Sequence, residues 1–340
     1  MTARSAWLTG LRTTALAPWL LLTLWLAGLG LALPAAWVVH STLRAAIAHT
    51  DVEGAMLAGF DTIWFGEFSA EATGVSATFD PTLSGAGGFL VNLESWFTGS
   101  LFDGFGGLIG AGAVFALFWA FLLGGTLSRV AFPERAMSAS SFFHIGGEFL
   151  LRFIRLALIS AIPYVLIYRL HLWLMERAEE ALRESTTESA AIFYTLLIYG
   201  LTGLLLTAVQ MSFGYAKVAT VVDDRRSMFL AAVRGAGFVI TRFPKVIALQ
   251  GLTLAAGLIA LLLYGLIAPG ATIASWSGVV WTLLLAQLFL LAKLFLRVSL
   301  LAGQAALYRK FSPVVESGSD LTRAAAVSGA VPARLPTRFR

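Results

Sequence analysis

The sequence predicts an all-α, polytopic membrane protein with about six transmembrane helices and further amphipathic helices at the membrane interface. Of its 340 residues, 58% are hydrophobic and only 13% are charged, whereas soluble proteins carry about a quarter charged residues. Several continuous apolar runs reach the roughly 20 residues that a helix needs to cross the hydrocarbon core. The basic residues are concentrated in alternate connections between those runs, as in membrane proteins of fixed orientation.

Six apolar runs are predicted to span the membrane, within an integral membrane domain over residues 18–310. They are residues 18–39, 105–127, 153–174, 190–213, 246–266 and 278–301. The first run is longer than the apolar core of a signal peptide, so we expect an uncleaved membrane anchor. Pro163 is expected to kink the third span. Residues 311–340, rich in Ser, Ala, Pro and Arg, are expected to form a disordered cytoplasmic tail.

The positions of Lys and Arg predict the orientation. With six spans, 20 of the 24 basic residues lie on the same side as the N-terminal residues 1–17. Cytoplasmic loops carry such an excess of Lys and Arg, so we expect both termini in the cytoplasm and the chain in a bacterial inner membrane. The same distribution accounts for the pI of about 9.7 without nucleic acid as a partner.

Residues 40–104 form the longest predicted segment outside the spans, on the outer side. The segment holds eight acidic residues and one Arg, and its aromatic residues recur at roughly helical spacing. This pattern favours amphipathic helices at the interface, broken in two by the glycines of residues 85–88. The sequence leaves open whether the segment lies on the membrane or forms a soluble subdomain.

Two further connections have helical patterns. Residues 138–153 form a short amphipathic piece before the third span, and residues 175–189 predict a solvated helical extension or hairpin tip. The glycines of residues 104–112, at the start of the second span, predict a face of small residues for close helix packing.

The predicted spans contain no Asp or Glu, which argues against an ion-coupled carrier because such carriers place ionisable residues at membrane depth. The candidate intramembrane polar residues are Gln210, Gln250 and Gln287. We expect them to form hydrogen bonds between helices, and the alternative is that they line a substrate path.

No catalytic residue, cofactor site or metal site is predicted. The chain has no Cys, and its four His residues have no metal-binding spacing. No phosphate-binding loop, nucleophile elbow or dinucleotide fingerprint occurs. His171 and Arg169 are candidates for the outer interface, as a membrane anchor or as part of a functional site.

The densest charged stretch is Gly214–Lys245, predicted to form the main cytoplasmic feature. From Ser227, a plausible N-cap, apolar residues from Met228 to Phe243 recur at helical spacing, and Pro244 is expected to end this helix. The candidate contacts with a partner or an anionic lipid are Arg225, Arg226, Arg234 and Arg242. The alternative is that this amphipathic helix only anchors the chain at the inner leaflet.

Residues 190–305 resemble the membrane domain attached to some bacterial glycerophosphodiester phosphodiesterases, and similar units occur in uncharacterised bacterial inner-membrane proteins. The residues that carry the resemblance are Val221, Val222, Asp223, Arg226, Ser227, Ala231 and Phe238. The catalytic domain of those enzymes is absent, so the resemblance implies a helical membrane domain without an assigned activity.

These observations predict a non-enzymatic scaffold or accessory subunit of an inner-membrane assembly. Its expected partners are the lipid bilayer, other membrane-protein subunits or anionic lipid. The alternative is a transporter or permease component for an apolar or lipid-like solute. A membrane enzyme acting on lipids is a third hypothesis, for which His171 with Arg169, or His144 with Glu148, are the candidate residues.

Overall fold

The described part of the chain folds into helices, six of which are long and apolar enough to cross a membrane. The computed structural model describes residues 1–48, 61–79, 109–183, 188–268 and 276–311, and no strand occurs among them. The helices are α1 (Ala3–Ala15), α2 (Pro18–Ile47), α3 (Thr62–Glu71), α4 (Ile109–Ala131), α5 (Ala139–Leu182), α6 (Glu188–Val222), α7 (Met228–Thr241), α8 (Phe243–Ile267) and α9 (Trp276–Phe311). The all-α prediction with six potential spans, α2, α4, α5, α6, α8 and α9, is confirmed.

Two helices continue beyond the predicted limits of their spans. The amphipathic piece at residues 138–153 and the third span belong to one 44-residue helix, α5, which Ser138 caps. The glycines within it do not break the helix, because Gly146 lies against the Phe121 carbonyl of α4, where an added Cβ would be 2.7 Å away. Pro163 lies inside this helix, and the helical extension beyond the third span reaches Leu182.

The stretch Gly214–Lys245 is likewise divided among three helices. Its first nine residues complete α6, where Tyr215 and its neighbours are fully buried in the core. Helix α7 follows with Ser227 as its N-cap, as predicted. As expected, this helix ends before Pro244, and its last residue is Thr241. Pro244 itself lies in the first turn of α8, a position that lacks a helical hydrogen bond in any case.

The buried stripe of α7 also differs from the predicted one. Met228 and Val239 are buried as expected, together with Ala231 and Gly235. Of the other predicted stripe residues, Ala232 and Ala236 are half-buried, whereas Val233, Ile240 and Phe243 are exposed. The side of α7 that contacts α6 instead carries the small residues Ala231 and Gly235. The two helices approach closely there, with Gly235 against Ser212 and Ala216.

The N-terminal residues form a helix that the sequence analysis did not predict. A reciprocal capping box joins Thr2 and Ser5 at the start of α1. Gly10 packs against α9, where an added Cβ would lie 3.0 Å from the backbone nitrogen of Gly303. Only small residues permit two helices to approach so closely.

The main hydrophobic core lies at one end of the bundle, which we call the packed end. Helices α1 and α7 lie there, beside the last turns of α4, α6 and α9 and the first turns of α2, α5 and α8. Its largest fully buried side chains include Leu20, Leu127, Phe142, Tyr215, Leu249 and Tyr308. Arg309 joins two of these helices by donating to the Ala131 carbonyl at the end of α4. We call the other end of the bundle the open end.

Close packing in α4 occurs at different glycines from those predicted. An added Cβ at Gly110 or Gly112 would meet no atom within 4 Å, whereas at Gly124 it would lie 3.0 Å from Phe149 of α5. Gly125 is even closer to α5, at Phe142. The predicted face of small residues is therefore wrong at these two positions, and residues 104–108 lie outside the described residues.

Part of the predicted outer segment is helical. Asp61 caps α3 by accepting hydrogen bonds from the backbone N–H groups of Ile63 and Trp64. Trp64 and Phe68 are buried in a small aromatic cluster, and Ser76 donates to Thr42 of α2 at 2.9 Å. The predictions for residues 49–60 and 80–104, and for the tail from residue 312, lie outside the described residues.

The contact between α6 and α7 generates a stability prediction. In the Gly235→Ala variant, the new methyl group would lie 2.9 Å from the Ala216 Cα and still closer to two backbone atoms of α6. We expect the helices to move apart, at a cost of about 1–3 kcal/mol in the free energy of unfolding. Thermal unfolding of the detergent-solubilised protein measures this effect as a lower midpoint.

The matched control is Gly237→Ala in the same helix, where the added Cβ meets no atom within 4 Å. This variant is expected to be neutral or stabilised by up to about 1 kcal/mol, because Ala favours a helix more than Gly does. Equal midpoints for the two variants would contradict the close contact.

Candidate functional site

The candidate site is the turn between α6 and α7 with the basic residues around it. The turn begins where the Asp223 N–H donates to the Ala219 carbonyl and the Arg225 N–H donates to the Thr220 carbonyl, at 3.0 and 3.1 Å. Asp224 adopts a positive φ of 46°, as residues that end helices in this way often do. The chain thereby reverses direction, and α7 packs back along the end of α6.

The carboxylate of Asp223 binds three donors from three parts of the packed end. Its Oδ2 atom accepts the Tyr308 hydroxyl of α9 at 2.8 Å and the Arg225 Nε at 3.2 Å. The Nε of Arg234, on α7, lies 3.3 Å from the same oxygen. Only 11% of the Asp223 side chain is exposed, so these charge-assisted contacts are partly shielded from water. The carboxylate therefore holds the turn, α7 and α9 together.

An aromatic row continues from this carboxylate into the core. The ring of Tyr308 lies 5.1 Å from that of Phe238, which lies 4.7 Å from the ring of Tyr215. Tyr215 and Tyr308 are fully buried. The row joins α9, α7 and α6 in order, so apolar packing fixes the geometry that the carboxylate requires.

The second acid of the turn binds another helix. Asp224 accepts a hydrogen bond from Arg152 of α5 at 2.6 Å. Arg152 also lies 3.7 Å from Glu148 and 4.7 Å from the Phe149 ring. The turn is thus tied to α5 through Asp224 and to α9 through Asp223.

The four predicted partner-binding arginines therefore have different environments. Arg225 and Arg234 are partly exposed and both pair with Asp223 of the same chain. Arg242 lies over the Phe311 ring at 4.5 Å, beside Lys245. Arg226 is exposed. Of the four, Arg226 is the residue whose position best suits contact with another molecule.

The three predicted intramembrane glutamines lie on three different helices. Gln287 of α9 accepts a hydrogen bond from the Trp25 indole N–H of α2 at 2.9 Å, which is the predicted interhelical role. Gln210 of α6 is exposed, and Gln250 of α8 is half-buried. A further glutamine, Gln304, is buried in the core against Gly214.

The two residues predicted at the outer interface lie on different sides of α5. Arg169 is exposed, whereas His171 is buried against α6. The Nδ1 of His171 is 3.1 Å from the Thr202 hydroxyl, which itself donates to the Ile198 carbonyl. His171 joins α5 to α6, and the structure does not bring it together with Arg169.

The remaining candidate groups lie at the surface. His144 and Glu148 are exposed one turn apart on α5, where Glu148 lies 3.7 Å from Arg152. His40 lies beside Trp37 on α2. Within the described ranges, no three His, Asp or Glu side chains are grouped so that they could hold a metal ion.

No protein-family model, curated protein or solved structure matches this chain. The resemblance to the membrane domain of glycerophosphodiester phosphodiesterases therefore stays a prediction. Several of the residues that carry it have structural roles here: Asp223 binds three donors, Ser227 caps α7, Ala231 is buried, and Phe238 lies between the rings of two tyrosines.

Sequence reasoning assigned the arginines of this stretch to an external contact and did not find their internal carboxylate partner. The available signal was the pair Asp223 and Asp224 within a stretch that is otherwise basic. Buried charges are generally paired, so two acids among six basic residues suggest internal ion pairs. Tyr308, the third residue that binds the Asp223 carboxylate, lies 85 residues further along the chain, so no local sequence pattern predicts this contact.

The three contacts of Asp223 generate a second prediction. In the Asp223→Asn variant, Arg225 and Arg234 lose their counter-charge, and the Tyr308 hydroxyl loses a charged acceptor. We expect the free energy of unfolding to fall by about 1–3 kcal/mol, as for other partly buried groups that lose a partner. Chemical or thermal unfolding in detergent tests this expectation.

Asp224→Asn is the matched control. The side chain of Asp224 is 52% exposed, so loss of its pair with Arg152 is expected to cost less than about 1 kcal/mol. If this variant were destabilised as much as Asp223→Asn, the central role of Asp223 would be excluded.

Proposed function

We propose that this chain is a non-enzymatic scaffold or accessory subunit of a bacterial inner-membrane assembly, with its packed end in the cytoplasm. The observation that supports this proposal is the uneven packing of the spans. In the most apolar 18-residue window of each span, 44% of the residues are buried in α4, but at most 17% in the other five. The spans thus leave most of their apolar surface for other molecules to cover.

The exposed surface is greatest towards the open end. On α6 it includes Ile192, Phe193, Leu196 and Leu197. Lipid tails and the helices of another subunit are equally apolar. The hydrophobic effect therefore does not favour burial of this surface by a partner over burial by lipid. A self-contained carrier, by contrast, encloses its path with contacts between its own helices at membrane depth.

A second exposed apolar surface lies on α7 at the packed end. It includes Phe229, Leu230, Val233 and Ile240. Because it is next to Arg226 and the Asp223 turn, it offers apolar and basic groups side by side. In the proposed assembly, this surface contacts the inner leaflet, and the open-end surface contacts partner helices.

The alternative function, a permease component for an apolar or lipid-like solute, is favoured by the exposed apolar faces. It receives less support from the glutamines, which were the proposed lining of a path. Gln287 is engaged with Trp25, and Gln210 and Gln250 lie on separate helices.

Photo-crosslinking in the native membrane tests whether the open-end surface contacts another protein, as the scaffold proposal requires. A benzoylphenylalanine at Phe193, which is exposed, is expected to give one protein adduct of defined mass. The same group at buried Phe142 is the control and is expected to give no adduct with another protein. Lipid adducts alone at Phe193 and at exposed positions of the other spans would overturn the scaffold proposal.

The proposed orientation can be tested because the chain has no Cys, so each introduced thiol is the sole labelling site. Glu179→Cys lies near the open end of α5, and Arg226→Cys lies at the packed end, both at exposed positions. In intact spheroplasts, a membrane-impermeant maleimide is expected to label the first variant. It is expected to label the second only after permeabilisation, and the reverse pattern would contradict the orientation.

A further inference from the structure

Two cations meet on one aromatic ring at the corner between α7 and α8. The Cζ of Arg242 lies 4.5 Å from the centre of the Phe311 ring, and the Nζ of Lys245 lies 4.2 Å from the same centre. The separation between the two charges therefore cannot exceed the sum of these distances. Phe311 is the last residue of α9, and it gathers both charges at the start of α8. We call Arg242 and Lys245 the cation pair.

A second ring at the packed end also contacts two cations, but one of their charges is balanced. Arg135 and Arg309 lie over the Phe132 ring, at 4.4 and 4.8 Å from its centre. Glu134 lies 3.3 Å from Arg309 and supplies a negative charge there. Among the residues that the structure describes, neither member of the cation pair forms an ion pair. The cation pair therefore carries two positive charges without an acid of the chain to balance them.

The cation pair is accessible to another molecule. Residues 241–244 are all exposed, and Lys245 is half-buried. A cation–π contact at an exposed site is weaker than a charge-assisted hydrogen bond to phosphate, so a phosphate can draw both side chains from the ring. Arg226 suits contact with a molecule at the α7 surface, whereas the cation pair offers two charges to one anionic group.

The start of α8 lies at the level expected of lipid headgroups. The apolar run 246–266 begins directly after Lys245 and corresponds to about 32 Å of helix. The hydrocarbon core is about 30 Å thick, so the residues that flank this run reach the headgroup layers. Phe243 and Ile247, which lie one turn apart at this level, are exposed. The corner thus combines two cations with exposed apolar surface, an arrangement that suits an anionic lipid.

We propose that Arg242 and Lys245 bind the phosphate of an anionic lipid headgroup at the corner between α7 and α8. The phosphate supplies the negative charge that Glu134 supplies at the Phe132 ring, and the acyl chains cover exposed apolar surface of α8. Simple orientation by basic residues does not require that two cations share one ring. This site does not depend on the scaffold function, because the test below uses the purified chain without a partner protein.

The test titrates the purified full-length chain in neutral detergent with phosphatidylglycerol or with phosphatidylcholine, whose choline balances the charge of its phosphate. Native mass spectrometry measures the lipid bound and gives an apparent affinity for each. We expect phosphatidylglycerol to bind more tightly. Arg242→Gln and Lys245→Gln are each expected to weaken its binding by about fivefold, consistent with the attraction of one basic residue to an anionic membrane.

Arg135→Gln is the matched control, because it removes an exposed cation that also lies over a ring at the packed end. It is expected to leave the affinity unchanged. Lys245→Arg keeps the charge and is expected to retain binding. If Lys245→Arg lost as much affinity as Lys245→Gln, the packing of the lysine and not its charge would be responsible, and the proposal would be overturned.

Three further results would overturn it. The first is an equal loss of phosphatidylglycerol binding in Arg135→Gln, which would indicate general attraction to the basic end. The second is equal stabilisation against thermal unfolding by inorganic phosphate at the same concentration, which would indicate a site for free anions instead of lipid. The third is a lower unfolding midpoint of both glutamine variants without lipid, which would show that the cation pair serves only to hold α8 to α9.

Discussion

The Asp223 carboxylate is the interaction on which the architecture of the packed end depends. Its Oδ2 atom is within 3.3 Å of donors from the turn, α7 and α9, and Asp224 ties the same turn to α5. A partly buried carboxylate needs such partners to offset its loss of hydration. The basic stretch around it is therefore first a means of assembling the protein. Only the basic groups that remain outside this network are available to other molecules.

The molecule combines a well-packed end with loosely packed spans. At the packed end, small residues such as Gly10, Gly235 and Gly303 bring helices into close contact, and aromatic residues fill the core. Through most of their length the spans instead expose apolar faces. In water this arrangement would expose too much apolar surface, but in a bilayer the lipid covers it at little cost. The packed end thus supplies the rigidity of the fold, and lipid or a partner protein covers the exposed apolar faces of the spans.

Much of the fold was predictable because span length and hydropathy are local properties of the sequence. The six spans and the Ser227 cap follow from such patterns. Helix ends were less predictable: α6 continues through Gly214 because Gln304, 90 residues later, fills the space beside it. The buried side of α7 was partly misassigned because hydrophobicity does not identify Ala231 and Gly235. These residues are buried because their small side chains allow α7 to lie close to α6.

The uninterrupted 44 residues of α5 have a mechanical consequence. A helix of this length is about 66 Å long and extends beyond both sides of a bilayer. In the first third of the helix, Arg152 pairs with Asp224 of the turn, and at its far end the helix continues as a charged extension to Leu182. It therefore acts as a rod, so that a tilt imposed on the extension displaces the turn. Pro163 lacks one backbone hydrogen bond and makes the middle of the rod its most compliant point.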